Sequence, residues 1–197
     1  MTLSWVDPTS LAALRPAAPI SSAPQVRLGE LALAIARRPD LWRAVVRHDP
    51  DLRWHCRLAD LGDVEVWLLG WTFEQEVEWH DHGGSVGAFA VAEGELCETY
   101  TERGDHRPLR SAHCSAGSAR AFGATRIHHV TNRAGTPATS IHVYSPPLTA
   151  MSFYDLAPGR APEPVRVERI LDLDAAGENR VPPWSGGTPE LQGEISR

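Results

Sequence analysis

The chain has 197 residues, a formal net charge of −6 and three cysteines. That length suits one domain with a sizeable core and leaves little for a second, and the acidic balance argues against a nucleic-acid surface, whose affinity comes from clustered Lys and Arg. No run approaches the roughly eighteen apolar residues of a membrane span, and no basic start leads into an apolar stretch of signal-peptide length, so a cytoplasmic protein with a small-molecule partner and no membrane partner is expected.

Residues 1–25 are rich in Ala, Pro and Ser and show no sustained period, which reads as a loosely ordered lead with at most a turn of helix. Leu28, Leu31, Ile35, Leu41, Trp42, Val45 and Val46 then fall near helical spacing, divided by Pro39 with Asp40 available for capping. The spacing predicts two short helices packed on a sheet. From Arg53 onward β-branched and aromatic residues come in short runs between glycine and polar turns, as in 64–69 and 86–91. Short strands repeated over about a hundred residues, without alternating helices, favour an antiparallel sandwich or barrel of jelly-roll type. After Asp155 the chain is heavy in Pro, Gly and charge, with residues 165–173 as the one ordered piece of a tail to which no chemistry is assigned. The expected organisation is a lead with helices over 1–50, a barrel with the functional site over 51–155 and a tail over 156–197.

The chemistry concentrates in Trp79-His80-Asp81-His82-Gly83-Gly84 and in a later histidine, His128, ahead of Val130-Thr131-Asn132. Residues two apart on a strand share a face, so His80 and His82 can converge on one ion while Asp81 points away. Imidazoles suit iron, copper, nickel or zinc rather than calcium or magnesium. A His-x-His pair alone equally fits a solvated strand face. Of the neighbours His128 and His129 only one can look inward. Cys56, Cys97 and Cys114 lack a Cys-x-x-Cys spacing and fit neither a disulfide framework nor a zinc–thiolate cluster; Cys56, beside Arg57, is the one placed near a pocket. Trp67, Trp71, Trp79 and Phe89 read as core. His48, His106 and His113 sit in polar or charged surroundings and are expected at the surface.

Gly70 before His80, Gly94 after His82, and Asn132 four residues beyond His128 together resemble the two-part signature of the cupin superfamily, and the Asn132 spacing selects His128. Two departures stand out. Val86 and Gly87 occupy the place where the commonest cupins carry a glutamate ligand, leaving a neutral three-histidine set, and Gly123 and Thr125 stand where proline and glycine are usual. With Ser140-Ile141-His142-Val143-Tyr144-Ser145-Pro146-Pro147, the pattern from about Trp54 to Asp155 resembles the thiol dioxygenases, cysteine dioxygenase above all. The resemblance implies a mainly β cupin (jelly-roll) barrel with short N-terminal helices, and iron(II) held by His80, His82 and His128. It further implies a substrate carboxylate on Arg57, and a relay of Ser140, His142 and Tyr144. In relatives that cross-link the tyrosine, the cysteine falls at Gly87, so no thioether is expected.

Ser140, His142 and Tyr144 share one strand face and Thr139, Ile141 and Val143 the other; a hydrogen-bonded core strand is the bland alternative, with buried polar groups satisfying one another. The planar guanidinium of Arg57 suits bidentate carboxylate capture. The resulting expectation is a mononuclear non-haem iron enzyme that oxidises L-cysteine with O2 to cysteine sulfinic acid. Its rivals are oxidation of another small thiol such as 3-mercaptopropionate, a divalent-metal cupin isomerase or hydrolase, and a non-catalytic binding module. Oligomeric state is left open.

Overall fold

The computed structural model describes residues 8–14, 24–156 and 162–169. A short helix α1 (Pro8–Ala12) and a longer α2 (Pro24–Ala36) precede eleven strands among these residues. They are β1 (His55–Asp60), β2 (Glu65–Trp71), β3 (Glu76–His80), β4 (Val86–Glu93), β5 (Glu95–Glu102), β6 (Arg110–Ser115), β7 (Ala119–Phe122), β8 (Arg126–Thr131), β9 (Ala138–Ser145), β10 (Ala150–Asp155) and β11 (Glu163–Arg169). Two antiparallel sheets, ordered β1-β2-β9-β4-β7 and β11-β10-β3-β8-β5-β6, make the expected jelly roll.

Helix α2 begins earlier than the periodicity implied, with Pro24 at its first turn, where a missing N–H costs nothing. The second expected helix is only a 3-10 turn, Pro39–Leu41, closed by the Trp42 N–H on the Pro39 carbonyl. In the tail, β11 overlaps the expected ordered stretch over 165–169 and begins two residues before it, and the remaining expected residues, 170–173, lie outside those described.

Every residue of β2 is buried, because both faces of its sheet are covered. Outside, α2 lays Leu28, Leu31, Ala32 and Ile35 against Val66, Leu68, Ala88, Ala90, Ile141 and Val143. This explains the apolar outer face of β9, which meets a helix and not water. Inside, Trp67, Leu69, Trp71, Phe89, Phe122, Val130 and Phe153 form a second cluster between the sheets, and the site opens within it.

Candidate metal centre and its cavity

Strand β3 ends at His80, which pairs directly with His128 of β8 after an irregularity in the ladder following Val77. His82 lies beyond the strand, in a turn, so strand alternation alone does not bring it inward. The turn is held by Asp81, which is 1% exposed. Its Oδ1 accepts the N–H groups of Gly83 (3.0 Å) and Ser152 (3.2 Å), its Oδ2 accepts the Tyr154 hydroxyl (2.6 Å), and Arg103 completes the shell. Gly83, at φ 61°, leaves no room for a side chain, because a Cβ would stand 2.5 Å from the Ala150 carbonyl oxygen. Asp81 thus points away from the histidines and fastens their turn to β10.

His80, His82 and His128 are all buried and offer nitrogens within 4.8 Å of one another. The His80 Nδ1 hydrogen is donated to the Glu78 carbonyl (2.6 Å) and that of His128 to Glu98 Oε1 (2.8 Å). Each neutral imidazole carries one ring hydrogen. The two Nε2 atoms, 3.1 Å apart, therefore face one another as bare lone pairs and not as a hydrogen bond. Among the described residues the buried Nε2 of His82 has no partner. Two facing lone pairs and a third buried ring nitrogen without a partner are what a cation would satisfy. Burial, with the charges of neighbouring histidines, holds His80 and His82 far below the usual imidazole range, keeping them neutral. His129 faces outward, stacked on half-buried Trp79 and bonded to Glu76 (3.0 Å), so Trp79 is not core. His48, His106 and His113 are exposed, as expected.

Beside the histidines is a cavity of about 60 Å³, bounded by Arg53, His55, Trp67, Leu69, Trp71, Val77, His80, His128, Val130, His142, Tyr144, Leu148 and Met151. At about 10–15 Å³ per water, this is space for a molecule of a few heavy atoms. On β9, Ser140 is 2.9 Å from His142 Nε2, whose Nδ1 is 3.2 Å from the Tyr144 hydroxyl. The indole N–H of Trp71 donates to Ser140 Oγ (2.9 Å). Because an indole only donates, Ser140 accepts there and donates to His142 Nε2. The His142 hydrogen then sits on Nδ1 and points at the Tyr144 oxygen, leaving the phenolic hydrogen for the cavity. Burial drives the His142 pKa down to about 3 and pushes that of Tyr144 up, so both remain neutral. Phe89 stacks on His142 at 5.3 Å and Phe122 on His82 at 4.7 Å.

Arg57 is the expected anchor of a substrate carboxylate. It does not bound the cavity; Nη1 lies 3.9 Å from Asp60 Oδ2, and its charge also faces the buried Glu65. The cation that does bound the cavity is Arg53, four residues earlier, with its guanidinium 5.1 Å from the Trp71 ring centre. Burial lowers the Arg53 pKa to about 10, and it keeps its charge. The two arginines stand on the same face by alternation, which is why spacing alone does not separate them. The Gly70 N–H bond to the Trp54 carbonyl (2.9 Å) carries the β1–β2 pairing back far enough to set Arg53 at the cavity. Cys56 packs with the helix-side cluster, away from the cavity. Sequence reasoning also assigns no role to Glu98 or to the Asp81 carboxylate; the signal for Glu98 is a charged residue in phase with Leu96 on the inward face of β5.

The fold and this centre define a three-histidine cupin. The sequence matches the family described as cysteine dioxygenase type I over residues 27–157, and the chain belongs to that family. Among solved structures it is similar to TT1209 from Thermus thermophilus, at 22% identity, 53% of this chain, 92% of that one and a TM-score of 0.47. It is also similar to a conserved protein with a double-stranded β-helix domain from Klebsiella pneumoniae subsp. pneumoniae, at 18% identity, 58% of this chain, 94% of that one and a TM-score of 0.48. A third likeness is to an oxalate oxidase in complex with the substrate analogue glycolate, at 16% identity, 53% of this chain, 56% of that one and a TM-score of 0.46. No helix among the described residues is long and apolar enough to cross a membrane.

Proposed function

We propose that the protein is an iron(II)-dependent thiol dioxygenase that converts a small thiol carboxylate, L-cysteine first, and O2 to the sulfinic acid. The observation that carries the reading is one charged arginine and one neutral tyrosine hydroxyl bounding the same small cavity as two of the three convergent imidazoles. Membership of the cysteine dioxygenase family supports it. Three neutral nitrogens suit iron and leave positions for substrate and O2; the metal would supply O2 activation. Arg53 binds the carboxylate and sets the distance from its anchor to the centre. Tyr144, aligned through His142 and Ser140, presents its hydroxyl hydrogen to the reacting end. Trp67, Leu69, Val77 and Val130 exclude water, which strengthens both polar contacts.

No Asp or Glu bounds the cavity, so a substrate amine meets no carboxylate there. That favours 3-mercaptopropionate as the second reading, because it offers a thiol and a carboxylate alone. Iron-loaded protein in an oxygen electrode should consume O2 with cysteine and form the sulfinate one to one. Higher kcat/KM for 3-mercaptopropionate would move the assignment to that thiol, and no uptake with any small thiol would refute a dioxygenase. His82→Ala should lose iron and activity together, whereas His129→Ala should retain both.

A further inference from the structure

As metal ligands three imidazole nitrogens bring no negative charge, and the place where many cupins put an anionic ligand is closed in this chain. A Cβ on Gly87 would stand 2.7 Å from the Phe122 ring and 2.8 Å from Tyr144 Cδ1. A carboxylate lies one step further out. Glu98 is 0% exposed on the inward face of β5 and accepts the Nδ1 hydrogen of His128 at 2.8 Å. His80 instead donates to a backbone carbonyl, so only one of these two ligands is tied to a full negative charge.

We infer that Glu98 supplies, through His128, the anionic character the ligand set lacks, as a positioning residue that favours the more oxidised form of the bound iron. The inference rests on the iron centre proposed above. A carboxylate on the distal nitrogen fixes the tautomer and ring orientation and makes the coordinating nitrogen a stronger donor. The surroundings keep the charge on Glu98. Arg126 Nη1 donates to its Oε1 at 3.1 Å and Arg120 Nε to its Oε2 at 3.0 Å. These same arginines stop the carboxylate from taking the His128 hydrogen outright. Arg126 is itself balanced by Glu102 at 2.9 Å, and Arg120 is one-third exposed and screened. With Arg120 and Glu102 similarly exposed, the two carboxylates and two arginines balance, so Glu98 acts on the metal by its position, with Oε1 2.8 Å from the ring of a ligand, and not by a net charge of the cluster. Glu98 touches neither cavity nor substrate, being absent from the residues that bound the cavity.

The test uses the full-length protein and reads the metal, not turnover. Loss of such an outer partner typically weakens metal binding about 10- to 100-fold. Glu98→Gln should weaken Fe(II) binding in chelator competition about tenfold and Fe(III) binding about a further tenfold. That ratio is a rise of about 59 mV in the midpoint potential of the iron-loaded protein. Glu98→Asp, which keeps the charge, should hold the potential nearer the parent even where affinity falls. Equal losses of Fe(II) and Fe(III), or none, would overturn the inference while leaving the iron centre intact; a parent that binds neither ion would refute the centre itself. Should Glu98→Gln fail to fold, nitrogen NMR of the Zn(II)-loaded parent decides. His128 is expected with a slowly exchanging Nδ1 hydrogen and a coordinated Nε2, and coordination through Nδ1, or a bare Nδ1, overturns the inference.

Discussion

At the scale of single residues, Arg53 and Arg57 divide the functions open to an arginine on β1 and the segment before it. Arg53 keeps its charge in a cavity walled mostly by apolar groups, whereas Arg57 serves Asp60 and Glu65 at the other end of the strand. Removing one partner of a buried charge pair costs about 3–5 kcal/mol, because the other is stranded. At about 1.4 kcal/mol per decade, Arg53→Ala should lower kcat/KM for cysteine by a factor on the order of a hundred or more, while Arg57→Ala should change it by less than about tenfold. Cysteamine, which lacks the carboxylate, should be a poor substrate and nearly indifferent to Arg53→Ala. Steady-state kinetics on both substrates checks this, and equal losses would assign Arg53 to the fold.

At the scale of elements, the rung that joins Gly87 of β4 to Tyr144 of β9 matters most. A side chain at 87 would enter the Phe122 and Tyr144 rings. Overpacking of this kind costs about 1–3 kcal/mol, and at about 2–4 °C per kcal/mol Gly87→Ala should lower Tm by several degrees and reduce turnover by displacing the phenol. Glycine also removes the sulfur from the tyrosine's neighbour. Cys56 lies with the helix-side core, and Cys97 and Cys114 lie on β5 and β6. Peptide mass spectrometry should therefore find Tyr144 unmodified; a loss of two hydrogens mapped to Tyr144 and any cysteine would contradict this. The clamp of Asp81 on β10 has a parallel consequence. Asp81→Ala would strand a hydroxyl and two N–H groups, each at about 1–3 kcal/mol when buried, and should lower both Tm and metal affinity.

At the scale of the whole molecule, the pH dependence of the metal-free protein reports how much charge the barrel keeps out. His142, moved from 6.5 to about 3, and His80 and His82, held well below 6.5, are neutral when folded. The unfolded chain takes up their protons below about pH 6.5, so stability must fall as pH drops through that value. A second loss follows from the acids. Burial would raise Glu98, but the His128 hydrogen bond and the arginines bring it to about 2; Asp81 is likewise lowered, burial being outweighed by Tyr154, the two N–H groups and Arg103. Both contribute above their unfolded values, near 4, and lose that contribution toward pH 2. Tm of chelator-treated protein should decline from pH 7 to 5 and more steeply below 4; a flat profile between 7 and 5 would mean that the three histidines are already hydrated. Iron at a hundred times its Kd should add about 2.7 kcal/mol, a rise in Tm that chelator reverses.

What the sequence determined by itself is whatever depends on local period and spacing. Alternation marked the strands and put Ser140, His142 and Tyr144 on one face of β9, and the four-residue step to Asn132 separated His128 from His129. That step has a physical basis, since buried Asn132 caps the turn after β8 by donating to Thr136 O at 2.7 Å and accepting from the Ala134 N–H at 3.0 Å. Only the tertiary structure set Arg53 on the cavity wall, carried Glu98 to His128, turned His82 inward through Asp81 and β10, and covered the outer face of β9 with α2. Each of these is a contact between segments far apart in the chain, decided by ladder register and by which buried groups can satisfy one another, and neither quantity is written in the periodicity of any one segment.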